Sequence, residues 1–139
     1  MNRVVELVKF KTNSSLNKLF VFLFSIFFSL NSYGEWRFHS SSLQGDTFHI
    51  HTDTIMKDER HVYFWYMKSY LMPNKFGDFS SKVYVQGDCS NNRLKYLTYV
   101  WYKEPMGKGL GEKSEEESEW EYPASESVGI DLLHVVCNS

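Results

Sequence analysis

Arg60-His61-Val62-Tyr63-Phe64-Trp65-Tyr66-Met67-Lys68-Ser69-Tyr70-Leu71 is the stretch on which the fold turns. With the two-residue period of a strand, Val62, Phe64, Tyr66 and Tyr70 share one face and Tyr63, Trp65, Met67 and Leu71 the other. Apolar side chains on both faces predict a central strand covered on two sides. An antiparallel sheet is built outward from it.

Upstream, Lys57-Asp58-Glu59 reads as a tight polar turn, and residues 47–55 before it read as the partner strand of a hairpin. There Phe48 and Ile50 alternate with His49 and His51. Gln44-Gly45-Asp46 turns the chain back to a first strand over residues 35–41, with Trp36 and Phe38 opposite Arg37 and His39. Downstream, residues 72–79 carry Pro73, Asn74 and Gly77 and read as a loop. A strand over residues 80–88 runs into Cys89, and Ser90-Asn91-Asn92 turns it into another over residues 93–103. In that strand Leu94, Tyr96, Val100 and Tyr102 alternate against Arg93, Lys95, Leu97, Tyr99 and Trp101.

Only the C-terminus has helical spacing. Ser125 and Ser127 are suitable N-caps, Glu126 and Asp131 suit the positive end of the dipole, and Leu132, Leu133, Val136 and Cys137 form one apolar stripe. About eleven residues make a marginal helix in water, so it must dock on the sheet. The fold class is therefore α+β: an antiparallel sheet with one C-terminal helix packed on a sheet face.

Residues 1–34 read as an export signal. Arg3, Lys9, Lys11 and Lys18 precede an apolar run over residues 19–30, and Ser32-Tyr33-Gly34 places cleavage between Gly34 and Glu35. The run is too short for the ~20 apolar residues of a membrane span. One domain over residues 35–139 remains. It holds 11 Lys+Arg against 16 Asp+Glu, a net charge of −5 that the whole-chain value of −2 hides. So acidic a domain is a poor binder of nucleic acid. In an oxidising compartment Cys89 and Cys137 read as a bridge, against the rivals of free thiols or intermolecular pairing.

Catalysis finds no support in the residues. No nucleophile-elbow pattern and no acid pair stand out, and the cysteines are better used in a bridge. Gly107-Lys108-Gly109-Leu110-Gly111-Glu112-Lys113-Ser114 resembles a phosphate loop only superficially, because Glu112 stands where a glycine is required. No cofactor is implied. His49 and His51 point the same way on a strand and are weak metal candidates, short of a third ligand. The six glutamates of residues 112–121 read as a solvated loop or edge, with Trp120 anchoring it to the core. Arg93, Lys95 and Lys103 with Tyr99 and Trp101 read as one candidate partner-binding face, since aromatics and arginine dominate binding hot spots.

The order Glu35-Trp36, Asp46-Thr47-Phe48-His49-Ile50, Val62-Tyr63-Phe64-Trp65-Tyr66, Asp88-Cys89, Pro105-Met106-Gly107-Lys108-Gly109, Glu119-Trp120 and Val136-Cys137 resembles the bacterial surface-adhesin protein E family. The resemblance implies a six-stranded antiparallel sheet whose C-terminal helix is tethered across it by the disulfide. Five of those strands are read above from the residues, and the sixth belongs over residues 110–122. It also implies a cell-surface protein of a Gram-negative bacterium that binds host matrix or serum proteins such as vitronectin, laminin and plasminogen. Two departures limit the carry-over: no lipid-accepting cysteine follows the signal, and His51 stands where the family commonly has an acid. The expected function is an exported, non-catalytic binding domain, in the periplasm, at the cell surface or secreted. A periplasmic structural or stress-related domain and a small metal-binding protein are the alternatives.

Overall fold

The computed structural model describes residues 36–139; the predicted export signal and its cleavage point between Gly34 and Glu35 lie outside the described residues. The strands are β1 (Trp36–Ser41), β2 (Thr47–His51), β3 (Met56–Lys57), β4 (Val62–Ser69), β5 (Ser80–Asp88), β6 (Arg93–Tyr102) and β7 (Gly111–Ser114), and the helix α1 spans Val128–Cys137. All seven strands form one antiparallel sheet in the order β1-β2-β4-β5-β6-β7, with β3 pairing on the remaining length of β4.

The central strand is β4, as the two-faced pattern predicts, but it stops at Ser69. Beyond it Leu71 stands exposed in the loop, where its N–H donates to Asp46 Oδ1 at 3.1 Å. The strand expected over residues 47–55 is broken after His51 by a 3-10 turn at Thr52–Thr54 and resumes as the two-residue β3. The sixth strand implied over residues 110–122 is present in two pieces on the outer edge of β6. β7 pairs with its second half, and Glu121 bridges Leu94 in its first.

Register assigns the faces. Val62, Phe64 and Tyr66 of β4 pair with Gly87, Val85 and Val83 of β5, which pair in turn with Leu94, Tyr96 and Tyr99 of β6. Together with Phe48 and Ile50 of β2, this face takes Leu132, Leu133 and Val136 from α1 to make the core. Helix docking sets the residue at position 87: a Cβ there would stand 2.6 Å from Leu133 Cδ1 and 2.9 Å from Val62 Cγ1, so the close approach requires glycine.

The helix begins where the sequence places it. Ser127 is the N-cap, its Oγ accepting from Ile130 N–H at 3.4 Å, and Asp131 lies in the first turn. At the other end Cys137 is bonded to Cys89, which directly follows β5. Lys57 of β3 reinforces this junction by donating to the carbonyls of Cys137 (3.1 Å) and Ser139 (2.6 Å), where a cation suits the helix terminus.

The second face of β4 is not covered along its whole length. A 3-10 turn at Pro105–Gly107 closes over its far end, where Met67, Ser69 and Ser80 are buried. Ser80 Oγ donates to Glu104 O at 2.6 Å and accepts from Gly107 N–H at 2.8 Å. Gly107 suits this turn because its φ is +65°, in the left-handed region that favours glycine. Nearer the middle Tyr63, Trp65 and Tyr84 lie half-buried, with no helix above them among the described residues. Among the described residues this corrects the expectation of a strand covered on both sides: the one helix described there cannot cover two faces, and the turn reaches only the end.

Candidate functional site

The half-covered face carries a band of aromatic side chains. Trp65 of β4 stacks on Tyr84 of β5 with ring centroids 5.1 Å apart and planes 25° from parallel. Tyr63 lies 6.4 Å from the same ring, its hydroxyl accepting from Gln86 Nε2 at 3.1 Å. On β1, Trp36 meets His51 edge-on at 4.9 Å, and Phe38 meets His49 edge-on at 5.7 Å. The Lys82 ammonium sits 5.6 Å from the Trp36 ring and 4.8 Å from the Tyr102 ring. Alternation alone produces this band: each of these strands puts every second side chain on the face away from α1.

At the end of the face nearest the β5–β6 turn the band opens into a polar pocket of about 620 Å³, lined in part by Arg60, His61, Asp88, Arg93, Lys95 and Trp120. Trp120 stacks on His61 at 5.7 Å and holds the Arg93 guanidinium 4.4 Å from its ring centroid. Trp120 therefore holds the glutamate-rich segment to this face through His61 and Arg93, not to the core as the sequence suggests. Asp88 organises the floor: it accepts from Asn91 Nδ2 at 2.8 Å and from Arg93 Nε at 2.9 Å. The Asn91 hydrogen bond, with Arg93 beside it, holds the Asp88 carboxyl below the usual carboxylate range. Lys95 pairs with Glu117 at 2.8 Å, and that contact raises the ammonium above its ordinary value. The pocket sets the Asp88–Arg93 ion pair and the Glu117-paired Lys95 beside an indole.

The residues read from the sequence as one binding face are separated here. A β-bulge in β6 at Leu97 lets Thr98 pair with Tyr84 and Tyr96 with Val85. Every residue beyond the bulge changes sides. Arg93 and Lys95 therefore stay on the helix-free face, whereas Tyr99 and Trp101 lie on the helix face. Those two rings stack at 5.5 Å, Tyr99 packs against the core, and burial pushes its phenol up to about 12. Lys103 lies beyond the strand, bonded to Asp78 Oδ1 at 2.7 Å.

His49 and His51 share the helix-free face as alternation requires. Their Nδ1 atoms are enclosed and have no hydrogen-bond partner among the described residues, and burial lowers the His49 imidazole below its ordinary value. No group of three or more His, Cys, Asp or Glu side chains among the described residues is arranged around a metal position. The His51 ring packs edge-on against Trp36 and the His49 ring against Phe38. Sequence reading missed Trp65, Tyr84 and His61 as site residues. The signal for Trp65 is the second apolar face of β4, which the sequence assigns to a covering layer; Tyr84 alternates with Lys82 and Gln86 on the polar side of β5 and gives no such signal.

A family model described as Surface-adhesin protein E matches residues 36–138. Among solved structures, crystal form II of Haemophilus influenzae protein E is 17% identical, with a TM-score of 0.56 over 76% of this chain and 88% of that chain. The selenomethionine form of the same protein is 16% identical, with a TM-score of 0.57 over 76% of this chain and 90% of that chain. At these identities the likeness establishes the fold. A search of curated proteins finds no match.

Proposed function

The chain belongs to the surface-adhesin protein E family, and from that premise we propose that it is an exported, non-catalytic binding domain whose helix-free sheet face grips a host matrix or serum protein. The observation carrying this reading is the aromatic band of Trp36, Tyr63, Trp65 and Tyr84, which ends at Arg93 and Lys95. Tyrosine, tryptophan and arginine present large, rigid contact surfaces at small entropic cost and dominate interface energetics. In this domain the helix-covered face supplies the core, and the half-buried stacked aromatics on the other face are available to a partner. The Cys89–Cys137 bond supports export, because such pairs persist where thiols are not kept reduced. We assign residues 1–34 to the signal and residues 35–139 to the mature domain, with delivery to the periplasm, the cell surface or the medium.

The test is binding of the purified protein to immobilised vitronectin and laminin at physiological salt. The double substitution Trp65→Ala and Tyr84→Ala is expected to weaken binding about 30-fold or more, since a hot-spot aromatic contributes ~2 kcal/mol or more. Trp101→Ala, on the helix face, is expected to leave it within about twofold. Absence of binding by the parent protein, or equal loss from both faces, overturns the assignment.

A further inference from the structure

We infer that the polar pocket at the end of the helix-free face nearest the β5–β6 turn binds a neutral sugar unit. The inference rests on the proposed host-protein contact for the source of that sugar, since secreted proteins carry glycans on surface asparagines. The pocket, about 620 Å³, lies within the size range of small-ligand sites, and nine of its ten lining residues have polar side chains. Trp120 is the exception. So polar a lining does not suit an apolar ligand, because its groups would lose water without gaining hydrogen bonds.

Three segments build the walls, and each is locked before any ligand arrives. Asp58 Oδ1 accepts from the backbone N–H groups of Arg60 and His61, both at 2.7 Å, which fixes the turn into β4. In the β5–β6 turn, Asp88 Oδ1 accepts from Asn91 N–H at 3.1 Å, and Asn92 takes a φ of +50°, a conformation asparagine tolerates. The third segment carries Trp120. There Glu121 and Leu94 exchange backbone N–H···O bonds of 2.8 Å in both directions. Polar groups set in place this way lower the ordering cost of binding.

Charge argues against ions of either sign. Arg60, Arg93 and Lys95 share the lining with Glu59 and Asp88, and Glu117 takes the Lys95 ammonium. Asp58 and Glu119 stand close by, beside His61 and Lys95. An anion therefore meets no excess of positive charge, and a cation meets three cationic side chains. What fits is a neutral ligand that both donates and accepts. Sugar hydroxyls do both, and a pair on adjacent carbons matches the planar carboxylate, amide and guanidinium groups of this lining. The C–H groups of the sugar ring have the Trp120–His61 stack to lie against. A neutral protein side chain offers one hydroxyl or amide, whereas a sugar offers several on one rigid ring.

The experiment is a nuclear magnetic resonance titration of the disulfide-closed protein with lactose, methyl α-mannoside and N,N′-diacetylchitobiose, with glucuronate as the charged control. At least one neutral sugar is expected to shift the Trp120 indole N–H resonance saturably, and glucuronate to bind about tenfold more weakly. Glu59→Ala with Arg60→Ala, both exposed, is expected to weaken sugar binding about tenfold with an unchanged melting temperature. Trp120→Ala is expected to abolish it. In a second arm, enzymatic removal of the N-linked glycans of laminin is expected to weaken laminin binding about tenfold. Saturable sugar binding without any laminin binding upholds the pocket and overturns only the host-protein reading. No saturation by any of the three sugars, or tighter binding of glucuronate, overturns the inference; laminin binding that survives glycan removal unchanged then leaves the host-protein contact standing without it.

Discussion

Replacing both Cys89 and Cys137 by serine lowers the thermal midpoint of the domain by roughly 15–30 °C and frees α1 from the sheet. The bond closes a loop with a sequence separation of 48 residues, for which the chain-entropy model gives about 4 kcal/mol. In a domain of this size each kcal/mol moves the midpoint by about 4–8 °C. The helix, too short to persist alone, otherwise depends on Leu132, Leu133 and Val136 buried in the core, with Val128 and Ile130 packed beside them. The Lys57 hydrogen bonds at its end are exposed and contribute little. Calorimetry of the double variant, with far-ultraviolet circular dichroism to follow the helix, checks this. A midpoint within about 5 °C of the parent contradicts it.

Neighbouring positions on β4 are expected to respond in opposite ways. Phe64 is fully buried among Val83, Val85 and the helix residues of the core, so Phe64→Ala removes a whole ring and leaves a cavity, costing about 3–5 kcal/mol. Net stabilities of about 5–15 kcal/mol make that a large fraction of the total. Trp65 is half-buried on the other face with Tyr84 as its stacking partner, and Trp65→Ala is expected to cost only about 1–2 kcal/mol. Urea denaturation separates the two. Equal losses at both positions would mean that the second face is a core in its own right rather than a contact surface.

The sequence announced the sheet because aromatic and β-branched residues alternate between clear turns, and it announced the helix through Ser127 and the Leu132, Leu133 and Val136 stripe. The cysteine pairing is legible in their number together with the expected export, and the family resemblance supplied the edge strand that residues 110–122 hide among glutamates. The Leu97 bulge was not legible. Leu94, Tyr96, Leu97, Tyr99 and Trp101 are apolar on either side of it, so no break in the pattern marks the inserted residue, yet it transfers Tyr99 and Trp101 to the other face. A similar irregularity at His39 in β1 is equally silent. Nor does composition distinguish an aromatic that is covered from one that is presented. Trp65 and Phe64 look alike in the chain, and what separates them is which face of the sheet α1 packs on.

Hydroxyl-radical footprinting of the protein free and bound to vitronectin tests most directly which face makes contact. Trp65 and Tyr84 are expected to lose reactivity in the complex while Tyr99 and Trp101 keep theirs. Protection of Tyr99 and Trp101 with Trp65 and Tyr84 unchanged contradicts the assignment of the helix-free face.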